Sequence, residues 1–163
     1  MAEVPSTNYP IAHRLLRILA SFMAGGIISQ TLASLTAYVV IEDSQVAGMV
    51  SHLLIEKMSY YFLGGAFIIL SLSNILIKRG LIELKCIRLP SLVLILMIAI
   101  TSFLLIPRMD YLREVALQDG MPIRLSPLAN YFTFLNTLTF SLLCLEIGLG
   151  ILIAWRISDS KSS

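Results

Sequence analysis

Four long stretches of this 163-residue chain are almost free of Asp, Glu, Lys and Arg: Ile18 to Ile41, Met58 to Ile77, Leu89 to Pro107, and Tyr131 to Trp155, the last interrupted only by Glu146. A helix rises about 1.5 Å per residue, so about 20 apolar residues cross a bilayer's hydrocarbon and pair their own backbone groups on the way. The expected fold is therefore an all-α integral membrane protein, an antiparallel four-transmembrane-helix bundle. Residues 1–17 would precede the membrane domain at 18–155, residues 108–130 would form its main external loop, and residues 156–163 would be a tail.

Composition agrees, with 57% hydrophobic and 13% charged residues, against roughly a quarter charged in soluble domains. That excludes a soluble globule and a disordered tail, and a formal charge of +2 gives little hold on nucleic acid. Arg14, Arg17, Lys78, Arg79, Lys85, Arg88, Arg156 and Lys161 fall on the face that carries both termini. Lys57, Arg108, Arg113 and Arg124 fall on the other. Basic residues are retained in the cytoplasm, which predicts cytoplasmic termini.

The first apolar run is too long for a secretory signal core of about 7 to 15 residues, so it is expected to remain as a helix. Cys86 and Cys144 have no reason to meet and are expected as free thiols. Free thiols and the basic bias fit a bacterial inner membrane, although an organelle membrane meets the same physics.

The external loop carries apolar residues at Met109, Leu112, Val115, Ala116 and Leu117, a spacing that predicts a short helix lying at the interface. Asp119-Gly120 is a turn signal beyond it. A second such helix, between Gln45 and Glu56, is expected to lie at the interface or to extend the second span outward.

Glu146 is the sharpest feature, because a carboxylate inside a spanning helix must be neutral, paired or wet. Antiparallel counting puts Ser29, Gln30 and Thr101 at comparable depth, a candidate intramembrane polar cluster. Its two readings are a proton or cation relay and an acid hydrogen-bonded to Gln30 that pins helices together. Gly25, Gly26, Gly64, Gly65, Gly148 and Gly150 are expected at helix-packing contacts, since small residues let helices approach closely in lipid. Asn136 is expected to bond across helices.

A haem held between two imidazoles needs histidines at one level, but His13 and His52 fall at opposite membrane faces. They are expected as an interfacial His13 and a solvated His52, and no metal or other cofactor is expected. No nucleophile and base arrangement or phosphate loop occurs, so the chain is not read as an enzyme.

Gly25-Gly26 in the opening helix, Ile106-Pro107-Arg108 followed by Met109 to Arg113, and Phe132-x-Phe134-Leu135-Asn136-x-Leu138-Thr139 together resemble the transmembrane protein 205-like group, domain of unknown function 4149. The resemblance covers about Ile11 to Trp155. It implies a four-helix membrane protein of a family whose members mostly lack an assigned activity. The family pattern has His and Ser where Asn136 and Thr139 stand here, a departure that removes the family's histidine from this site.

The leading reading is a structural or accessory subunit that packs with itself or with a larger membrane complex. The alternative is a small transporter or ion relay centred on Glu146, and the third is a haem-bearing redox protein using one His.

Overall fold

The computed structural model describes residues 10–159, so parts of the expected N-terminal segment and tail, with Glu3 and Lys161, lie outside the described residues. The helices are α1 (Pro10–Val40), α2 (Ser44–Lys78), α3 (Lys85–Ile100), α4 (Ile106–Gln118) and α5 (Ala129–Asp159). Among the described residues there are no strands. A π-helical turn at Thr101–Leu105 joins α3 to α4 with helical dihedrals on either side, so the two make one rod. Four rods are long and apolar enough to span a membrane, the third being Ile82–Gln118.

Pairings fix the antiparallel order. Gly65 faces Met23, Gly26 faces Phe62 and Ser51 donates to the Ser34 carbonyl, so α1 and α2 run in opposite directions. The hydroxyls of Thr101 and Thr139, bonded to Glu146 and Met109, give the same result for the third and fourth rods.

Two prolines sit inside the third rod, and each has a local solution. Pro90 has no N–H for the Cys86 carbonyl four residues back. Arg156 of α5 donates to that carbonyl at 2.6 Å, tying the basic ends of two rods together. Near Pro107, the ladder shifts to a five-residue reach, Ile106 N–H bonding the Thr101 carbonyl, and helix continues beyond it.

The segment from Arg108 to Gln118 is therefore not a separate interfacial helix but the outward continuation of the third span. Likewise α2 begins at Ser44 and is 35 residues long, about 52 Å, well beyond the hydrocarbon. Asp43 caps it by accepting from Gln45 N at 2.8 Å. α2 and α4 close with the same motif, in which Gly80 (φ 110°) and Gly120 (φ 71°) adopt the left-handed region and Leu81 and Met121 N–H reach back to Leu76 and Ala116.

The main core, at the basic end, takes side chains from all four rods, among them Leu16, Ile27, Ile69, Leu94 and Ile153. A second core packs α4 against α5 through Met109, Leu112, Ala116, Leu135 and Leu142.

Candidate functional site

Two buried polar layers lie one above the other in the bundle, with an apolar layer between. The inner layer is the one the sequence anticipates. Glu146 is 3% exposed and Thr101 1%, and Thr101 Oγ1 lies 3.0 Å from both Glu146 Oε1 and the Met97 carbonyl. One hydroxyl hydrogen serves one acceptor. With the hydrogen on Met97 O, the second contact is complete when a neutral Glu146 donates to Thr101. No ion pair to Glu146 exists among the described residues.

Gly150, one turn along α5 from Glu146, packs against Ala24 and Ile27. One turn further along α1 is Gln30, buried at the level of Glu146, with Oε1 lacking a hydrogen-bond partner among the described residues. Ser102, beside Thr101 in the π turn, is also buried with its hydroxyl unpartnered. Ser59 brings a buried hydroxyl from α2, spent on the Ile55 carbonyl at 2.6 Å. Counted along the third rod, this layer is about 20 Å from Arg88 and about 10 Å from Arg108, so it lies nearer the second face.

Ser29 does not join the layer. It is exposed, because adjacent helical residues diverge by about 100° and Gln30 takes the inward direction. Among the glycines, Gly26, Gly65 and Gly150 face neighbouring rods, whereas Gly25, Gly64 and Gly148 have open space where a Cβ would stand. Asn136 is exposed rather than bonded across helices.

The apolar layer is Ile55, Ile106 and Leu143, all nearly inaccessible. One turn outward from Ile55 and Ile106 are His52 and Asp110, which begin the outer layer. His52 was expected in solvent, yet it is 3% exposed. Its Nδ1 is 2.7 Å from Asp110 Oδ1 and 3.3 Å from Arg113 Nη1. Arginine only donates, so Nδ1 cannot accept from it while donating to Asp110; the shorter distance assigns the Nδ1 hydrogen to the carboxylate.

Arg113, 5% exposed, reaches the same carboxylate oxygen at 3.4 Å. It donates to Tyr38 Oη and stacks over Phe132 at 5.1 Å, while its Nε has no partner among the described residues. A guanidinium fits here because Gly48 leaves room: a Cβ at Gly48 would collide with Arg113 Nη2. All four rods thus meet around one buried cation, through Tyr38, Gly48, His52, Asp110 and Phe132.

The sequence reading missed this layer because its charges fall beyond the third apolar run, in a segment expected to lie at the interface rather than to continue the span. The signal was present in Leu105, Met109, Leu112 and Ala116, which continue one helical face and carry Asp110 and Arg113 beside it.

Arg108 sits over the rings of Tyr111 and Tyr131, at 5.5 and 5.9 Å. Tyr60 and Tyr61 are exposed near the same level, as an aromatic belt at the membrane boundary requires. Among the described residues no group of three or more His, Cys, Asp or Glu is arranged to hold a metal ion.

Comparison with family models, with curated proteins and with solved structures returned no match. The fold and its apolar surface define a small multi-pass integral membrane protein whose helices contact the lipid bilayer.

Proposed function

We propose that this chain is an accessory subunit of a larger membrane assembly and docks through the outer ends of α2 and α4. The observation that carries the reading is the groove between them, about 470 Å³, with Met49, Val50, Leu53 and Leu117 as its apolar lining and Glu56, Asp110, Arg113 and Glu114 as its polar lining. Val46, Met49, Val50 and Leu53 are 44–55% exposed on the part of α2 that extends beyond the Lys57 and Arg108 level. Exposed apolar strips outside the hydrocarbon mark interaction surfaces. Glu56 is paired with Lys57, and Asp110 with His52 and Arg113, which leaves Glu114 as the edge carboxylate without an ion pair among the described residues; the partner segment is apolar, with one donor or cation placed to meet it.

Extraction in mild detergent followed by identification of co-purifying chains tests this. A stoichiometric partner lost in Leu53→Lys supports it, and recovery of a lone monomer from wild type refutes it. In this reading the termini lie in the cytoplasm, and the likeness to the transmembrane protein 205-like group is one of kinship.

The second reading, a proton or ion relay, rests on the stacking of layers: Glu146 beside the unpartnered Gln30 Oε1 and Ser102 Oγ, with Ile55, Ile106 and Leu143 separating them from His52 and Asp110. An apolar plug between polar layers is the arrangement that gating by wetting uses. Proton flux into proteoliposomes that is present in wild type and lost in a normally abundant Glu146→Gln variant favours the relay. Equal flux from both removes it.

A further inference from the structure

We propose that the notch between α2 and α3 at the basic end of the bundle binds the phosphate of an anionic membrane phospholipid. The notch has a volume of about 440 Å³ and is lined by Leu70, Asn74, Lys78, Arg88 and Leu92. Lys78 ends α2 and Arg88 stands near the start of α3, so the turn at Gly80 brings two cations to one mouth. Neither forms an ion pair among the described residues, and none of the five lining residues is acidic.

The second observation is that Arg88, half-buried in the wall of the notch, has no hydrogen-bond partner for its buried Nε among the described residues. Nε is closed to solvent, so a ligand meets this guanidinium at its Nη edge, and a phosphate oxygen is the acceptor that suits such a fork. The Lys78 ammonium adds a point charge, and the Asn74 amide is a further donor within the notch.

The source of the phosphate follows from the apolar wall. Leu92 is one turn from Arg88, and Leu70 is about 12 Å from Lys78 toward the bilayer centre. The notch therefore leads from the cations into hydrocarbon. A free phosphate has no use for that wall, whereas a phospholipid places its glycerol and first acyl carbons along it. Basic pockets between spanning helices hold anionic headgroups in this manner.

The test uses the full chain in detergent, with phosphatidylglycerol or phosphatidylcholine added and retained lipid read by native mass spectrometry. Wild type should retain one phosphatidylglycerol and prefer it over phosphatidylcholine by about tenfold or more. Retention should fall by about thirtyfold in the Lys78→Gln, Arg88→Gln double variant, roughly fivefold per basic contact. It should persist in Arg14→Gln, Arg17→Gln, which removes the same charge from the same end.

Equal losses in the two double variants would mean diffuse surface attraction and overturn the site, as would no loss in either. Displacement of the lipid by inorganic phosphate at similar concentration would overturn the lipid as its source. If the notch variant does not fold, the wild-type preference decides alone, and equal retention of the two lipids refutes the proposal.

Discussion

Gly48→Ala separates the buried arginine network from ordinary helix chemistry. The added Cβ would collide with Arg113 Nη2, stand 3.0 Å from Cζ, and lie 3.1 Å from Tyr38 Oη. Arginine tips usually yield cheaply, but this one is 5% exposed and held by Asp110, Tyr38 and the Phe132 ring. Moving it loosens those contacts together, and overpacking of this kind costs about 1–3 kcal/mol. The control is Gly25→Ala, where nothing stands within 4 Å and the methyl should stabilise the helix by about 0.5–1 kcal/mol.

The helix gain is common to both sites and cancels, so the two alanines should differ by the overpacking cost, about 2 kcal/mol, on the order of thirtyfold in the folded to unfolded ratio. Reversible unfolding in mixed micelles, followed by helical circular dichroism, measures the gap. Combining Gly48→Ala with Arg113→Ala should remove most of the penalty, because the collision is then gone. Equal stability of Gly48→Ala and Gly25→Ala would refute the reasoning, and so would a penalty that survives the loss of Arg113.

Two further outcomes follow from local geometry. Ile106→Ala empties part of the layer between the two polar sets, and should destabilise by about 2 kcal/mol, the low end for such truncations because the unfolded helix keeps its side chains in lipid; the same unfolding assay checks it. Arg156→Ala removes the donor that replaces the missing Pro90 N–H at Cys86 O, at a cost of about 1 kcal/mol. In a Pro90→Ala background, where the helix supplies that bond, the same substitution should cost little, and an unchanged cost would show that Arg156 acts elsewhere.

The spans were legible because uncharged runs of bilayer length have few other uses. Glu146 and Thr101 were legible as neighbours because antiparallel counting from charged ends is reliable to about a turn. The facing of residues around each helix was less so. In lipid both the outward and inward sides are apolar, so hydropathy gives α1 no phase, and only Gln30, not Ser29, turns in. The outer layer was hidden by Arg108, whose charge ends the third apolar run and put Met109 to Leu117 in a separate interfacial helix. A π turn at Thr101–Leu105 carries the helix past this point and turns Arg113 inward, where His52 and the half-exposed Asp110 meet it.

The docking claim is tested most directly by photo-crosslinking in native membranes from single positions in the outer groove. A photoreactive side chain at Leu53 or Leu117 should give one discrete heavier adduct containing a second protein, while one at Ile151, exposed along the lipid-facing part of α5, should give none. Lipid adducts alone from all three positions would contradict the account.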